Sequence, residues 1–188
     1  MEFIYEIPNN LSPEKCEEII RRFEESDEKT EGIVYSTGPL DMKTKVSVDL
    51  MISGRPGWDD IDDYLCIQLK EGFKQYREYM KDFVAIDEVF SRVKDHGYQI
   101  QRTEKGGYYS WHCDSVPSES RVITFIWYLN SRDPMIEGGG TSFHNGKHIT
   151  PEQGKLLFFP ATWTYMHMGT PVITDKNKYI CTGWICEY

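Results

Sequence analysis

The sequence predicts a mainly β chain of the jelly-roll kind, with N-terminal helices packed on one sheet, and three observations predict it. From about residue 95 to the end, short β-branched and aromatic runs follow one another, parted by turn residues. Before them, two stretches carry apolar residues at helical spacing. No linker, repeat or low-complexity stretch divides the 188 residues. One domain is therefore expected, with 1–94 as mainly helical support and 95–188 as the jelly-roll core.

The first helix is expected after Ser12 and Pro13, an N-cap and a first-turn proline, with Cys16, Ile19, Ile20 and Phe23 forming its apolar stripe. The second should span about 58–83, burying Ile61, Leu65, Leu69, Phe73, Tyr76, Met80 and Phe83. The strand-like runs then read YQIQRT, YYSWHCD, RVITFIWYLN, GGGTSF, HNGKHIT, GKLLFFP, WTYMHMG and KYICTGWICEY. Asn145-Gly146 predicts a two-residue hairpin turn pairing 144 with 147 and 143 with 148, which points His144 and His148 to opposite faces. His96, beside Asp95 and Gly97, reads as a surface or capping residue.

Composition excludes several classes. A net charge of −9, with acidic residues crowded at 24–31 and 59–63, opposes binding to a phosphate backbone, so no nucleic-acid partner is expected. The N-terminus has no basic and apolar leader pattern, and the longest apolar run, VITFIWYL, falls well short of the ~20 residues that span a bilayer. A cytoplasmic protein without a membrane association is expected. Five cysteines, odd in number and without a CxxC, suggest small buried hydrophobes rather than disulfides or a thiolate metal site.

His112-x-Asp114 is weak evidence alone, since this composition yields roughly 0.8 His-x-Asp/Glu pairs by chance. Strand alternation gives it meaning: His112 and Asp114 would share one face about 6–7 Å apart. Trp111 and Cys113 would share the other, apolar face, with helices behind it and Cys113 in the core. Two such groups can converge on one metal ion if a third ligand arrives; His167, in an otherwise nearly apolar run, reads as either that ligand or a satisfied core residue. Lys178 begins an apolar strand and needs an anionic partner there, for which a ligand carboxylate is attractive.

In this order and spacing, His112, Asp114, His167 and Lys178 resemble the Fe(II)- and 2-oxoglutarate-dependent dioxygenases, most closely the prolyl 4-hydroxylase-like branch with its small bacterial and viral members. YQIQRTEKGGYYSWHCD, RVITFIWYLN, EGGGTSF, GKLLFFP and HMGTPV followed by KYICTGW fall in the family's order, covering about 95–188. The resemblance implies a double-stranded β-helix, a cupin-like jelly roll. It implies iron held by His112, Asp114 and His167, and 2-oxoglutarate as co-substrate with its far carboxylate on Lys178. Tyr128 and Thr141 would line the same site, Tyr109 and Trp184 would face the substrate, and ascorbate is a candidate reductant. The implied reaction hydroxylates a C–H bond with dioxygen, on a prolyl or other residue of a peptide or protein, or on a free amino acid. Segments 41–57 and 115–120 are candidate substrate loops.

Two departures stand out. Thr103 occupies a position where many prolyl hydroxylases have a tyrosine that touches 2-oxoglutarate. The loop before Lys178 is a residue longer than in collagen-type enzymes, leaving Lys176 as an alternative anchor, although the register of Tyr179, Thr182 and Trp184 favours Lys178. The rival readings are a cupin-type metalloenzyme and a jelly-roll binding module without catalysis. Cupins want a histidine where Asp114 stands and a glutamate soon after. Retention of all four groups argues against a vestigial site.

Overall fold

A computed structural model describes residues 2–32, 44–82, 88, 90–116 and 119–188. In chain order the elements are β1 (Tyr5–Ile7), α1 (Pro13–Glu25), β2 (Thr30–Glu31), β3 (Val48–Met51), α2 (Asp59–Met80), β4 (Val93–Asp95), β5 (Gln99–Thr103), β6 (Tyr109–His112), β7 (Arg121–Tyr128), β8 (Thr141–Phe143), β9 (His148–Ile149), β10 (Leu156–Pro160), a 3₁₀ turn (Trp163–Tyr165), β11 (His167–Gly169) and β12 (Lys178–Glu187). Among the described residues, the strands form two sheets. The larger runs β1-β10-β7-β12-β5-β3-β2, with β4 also paired to β12, and the smaller runs β6-β11-β8-β9. Every pairing is antiparallel. This is the expected jelly roll.

Both helices form where their stripes predicted. The Ser12 side chain accepts from the Lys15 amide and caps α1, which buries Cys16, Ile19 and Phe23. Helix α2 buries Ile61, Leu65, Leu69, Tyr76 and Met80, with Phe73 packed alongside; Phe83 lies outside the described residues. Their apolar faces meet Ile100, Phe125, Trp127, Phe158, Cys181 and Ile185 on one face of the large sheet. Alternation sends Ile126, Tyr128, Leu157 and Phe159 to its other face, where they pack on Phe143 and Ile149 of the small sheet. A helix layer, a large sheet and a small sheet thus enclose two cores, and the inter-sheet face is the one that carries chemistry. None of the helices in the described residues is long and apolar enough to cross a membrane.

The structure corrects four expectations. Strands β1, β2 and β3 join the large sheet from within the supposed helical support; at two to four residues they are too short to show a period. Strand β3 also occupies part of the 41–57 loop, of which 41–43, like 117–118 of the second loop, lie outside the described residues. The 144–148 hairpin pairs Ser142 with His148, so its connection is one residue longer than a two-residue turn, with Gly146 at φ 88°. Finally, WTYMHMG is not one strand: its first half is the 3₁₀ turn, and only His167–Gly169 is extended.

Candidate metal centre

Strands β6 and β11 lie side by side with His167 opposite His112. The expected strand through Asp114 ends at His112, and Asp114 sits in a bend just beyond it. Backbone bonds from Asp114 N and Ser115 N to Ala161 O, at 3.1 and 2.8 Å, hold that bend. Nor do helices back this strand: β6 belongs to the small sheet, Trp111 is 47% exposed, and Cys113 is half-buried rather than in the core. The helices cover the opposite sheet.

The three side chains nevertheless converge. His112 Nε2 lies 3.8 Å from Asp114 Oδ1, His167 Nε2 lies 3.5 Å from Asp114 Oδ2, and all three donor atoms fall within 4.8 Å of one another. Each imidazole donates from Nδ1 to a carbonyl two residues earlier, His112 to Ser110 at 2.7 Å and His167 to Tyr165 at 3.1 Å. A carbonyl only accepts, so the proton is fixed on Nδ1 and the Nε2 lone pair is left for a metal. Thr124 Oγ1, from the large sheet, donates to Asp114 Oδ2 at 2.7 Å.

Electrostatics prepares these groups for a cation. Burial, then the neighbouring His167, pushes the His112 imidazole down to about 4, so it is neutral at ordinary pH. Burial alone would raise the Asp114 carboxyl, but His167, His112, the Thr124 hydroxyl and Arg121 together hold it below the usual carboxylate range. One carboxylate and two imidazoles are a donor set for a divalent first-row metal. Phe143 and Phe159 lie against the His167 ring, with centroids at 5.7 and 4.6 Å, and keep that side apolar.

The other expected residues gather nearby. Lys178 opens β12 on the inter-sheet face, paired with Thr103 of β5, and its ammonium is buried. Burial, with help from the Arg132 charge, lowers it to about 8. Among the described residues no carboxylate lies within 4.0 Å of it. Its Nζ faces Gly169 on β11, where a Cβ would meet Lys178 Nζ at 3.9 Å and the Tyr109 Cβ at 3.6 Å. Gly169 is two residues along β11 from His167, which puts the ammonium roughly 6–7 Å along the strand from the metal-binding groups. Tyr128 Oη and Thr141 Oγ1, both buried, share a hydrogen bond of 2.7 Å, and Lys178 Nζ lies 6.0 Å from the Tyr128 ring. Lys176 turns away to Ser131 O and Glu137 at the surface.

Tyr109 stacks on His112, with centroids 3.4 Å apart and planes 12° from parallel. Trp184 is paired with Thr124, on the inter-sheet face at the end away from Lys178. The Arg121 guanidinium lies over its ring at 3.5 Å, and the buried Trp184 Nε1 has no acceptor among the described residues. Sequence reasoning missed Thr124, Arg121 and Arg132. Thr124 had a signal, an inward polar position in the otherwise apolar VITFIWYL; the two arginines had none.

Comparison with known proteins agrees with this geometry. The model of the 2OG-Fe(II) oxygenase superfamily matches residues 98–186. A PKHD-type hydroxylase from Synechococcus sp. (strain CC9311) is 29% identical over 99 residues, 50% of this chain and 44% of the relative, so the match spans under half of that protein's length. Among solved structures, a viral collagen prolyl hydroxylase from Paramecium Bursaria Chlorella virus-1, in its 2OG complex, superposes with TM-score 0.73 at 21% identity, covering 100% of this chain and 97% of that one. A Trichoplax adhaerens prolyl hydroxylase, in complex with a hypoxia inducible factor oxygen degradation domain peptide fragment, gives TM-score 0.79 at 16% identity, covering 98% and 83%. Over residues 98–186 the chain is thus similar to the 2OG-Fe(II) oxygenase superfamily, and its fold is that of the prolyl hydroxylases on which it superposes.

Proposed function

We propose that this chain is an Fe(II)- and 2-oxoglutarate-dependent hydroxylase acting on a prolyl or other amino-acid residue of a peptide or protein. One observation carries the reading: a His112-Asp114-His167 cluster and a buried ammonium, Lys178, unpaired with any carboxylate among the described residues, face the same inter-sheet space about two strand residues apart. That separation suits a five-carbon dicarboxylate whose keto end reaches the metal and whose far carboxylate reaches the lysine. The donor set fits iron, and the side-chain-free Gly169 leaves room between Tyr109 and Lys178.

When bound, iron and 2-oxoglutarate supply the oxidising power for C–H hydroxylation by dioxygen, with succinate and carbon dioxide as by-products. The chain's own groups hold and shield. His112, Asp114 and His167 would hold the ion. Thr124 orients the Asp114 carboxylate. Lys178 neutralises the far carboxylate, and burial raises the Tyr128 hydroxyl so that it stays protonated as a donor beside Thr141. At the other end, the Trp184 Nε1–H, without an acceptor among the described residues, is suited to donate to a substrate carbonyl, with Tyr109 lining the way in. The acidic surface favours neutral or basic peptides.

Succinate release tests this reading. With Fe(II), 2-oxoglutarate and oxygen, a panel of proline-containing peptides and free amino acids should include some that stimulate succinate formation. If no succinate forms with any of them, the binding-module reading stands instead.

A further inference from the structure

Lys178 has a second cation beside it. Arg132, in the loop between β7 and β8, is 2% exposed. Its guanidinium is satisfied by neutral oxygens: Nε donates to Gly138 O at 3.2 Å, Nη2 to Glu137 O at 2.8 Å and Thr174 Oγ1 at 3.3 Å, and Nη1 to Lys176 O. Among the described residues no carboxylate forms an ion pair with it. Two buried positive charges, with no carboxylate between them, are costly to keep unless an anion shares the space.

The contacts also show what the guanidinium fastens. Gly138 and Gly139 adopt φ of 67° and 81°, and the 131–139 loop is laced to 171–173 by Gly139 N to Pro171 O at 3.1 Å and Ile173 N to Glu137 O at 3.0 Å. Arg132 bridges the same two loops. A Cβ on Gly139 would come within 3.0 Å of Arg132 Nε and 3.3 Å of Lys178 Cδ, so guanidinium, glycine and lysine stem form one wall with no slack. These loops lead into Thr141 and Lys178.

We propose that Arg132 is a positioning residue for the co-substrate: it places a second buried positive charge beside Lys178 and staples the loops that wall the far-carboxylate end of the site. The inference rests on the 2-oxoglutarate reading above and adds two properties to it. Charge sets how tightly a dicarboxylate is held; the rigid fork sets how long it can be.

Calorimetric titration of anaerobic, Fe(II)-loaded protein with 2-oxoglutarate, and with the one-methylene-longer 2-oxoadipate, separates these properties. Arg132→Gln should weaken 2-oxoglutarate binding about tenfold, whereas Arg132→Lys should keep it within about threefold. Both should lose the preference for the shorter diacid. Wild-type affinity and preference in both variants, with only a lowered Tm, would overturn the proposal and leave Arg132 as a fold residue. Failure of the wild-type chain to bind either diacid would instead remove the co-substrate reading, and this inference with it. Should neither Arg132 variant fold, Thr174→Val, which deletes one acceptor and no charge, must still narrow the preference; an unchanged preference counts against the staple.

Discussion

Thr124 on the large sheet donates its hydroxyl to Asp114 Oδ2 at 2.7 Å, so the carboxylate between the two histidines is oriented from the opposite side of the sandwich. The histidines are oriented from their own side, by the Ser110 and Tyr165 carbonyls. Thr124→Val keeps the shape and removes the donor. Its expected effect is a fall in Fe(II) affinity of about 10- to 100-fold with little change in fold. Metal titration followed by circular dichroism checks both parts, and an unchanged affinity would make the contact incidental.

Lys178→Ala should weaken 2-oxoglutarate binding by about 30-fold or more, the effect of removing one partner from a buried charge pair. Iron affinity should stay near wild type, and Lys176→Ala should change neither, because Lys176 is engaged with Ser131 and Glu137 at the surface. Loss of co-substrate binding in Lys176→Ala instead would reverse the assignment.

The same lysine gives a pH dependence with a definite sign. Burial, aided by Arg132, lowers its ammonium from 10.5 to about 8, and the side chains around it from the other strands, Thr103, Tyr128 and Thr141, are uncharged. Below that value the charge that a carboxylate needs is present; as pH rises through it the charge is lost. Affinity for 2-oxoglutarate should therefore be level below about pH 7 and fall above pH 8, by up to about tenfold per unit. A flat profile to pH 10 would show that the ammonium does not carry the binding.

Gly169 supplies a steric test. It sits in β11 without a positive φ, so a β-branched residue suits its backbone, but a side chain there would enter the space between Tyr109 and Lys178. Gly169→Val should weaken 2-oxoglutarate binding by about tenfold or more while iron still binds. Normal co-substrate affinity would mean the dicarboxylate lies elsewhere.

Much of this site was legible because periodicity and burial leave marks on sequence. Alternation in YYSWHCD set His112 with Asp114, and the isolated polarity of His167 and Lys178 in apolar runs marked them as unusual. The Ser12 cap and the two helical stripes were equally plain. What escaped had no such mark. Strands β1 and β3 owe their existence to pairing partners far along the chain, and β2 adds to β3. The Asp114 bend is set by the Ala161 carbonyl, and helix placement behind one sheet rather than the other is a property of the closed sandwich. Arg132, in a loop, reads as a surface charge until its four acceptors are assembled around it.

The central claim is that His112, Asp114 and His167 hold an iron ion to which 2-oxoglutarate binds. Optical titration of the anaerobic protein with Fe(II) and then 2-oxoglutarate tests it most directly. The prediction is a weak visible charge-transfer band that needs both additions and is absent in His167→Ala. No band in the wild-type chain, or an undiminished band in His167→Ala, would contradict it.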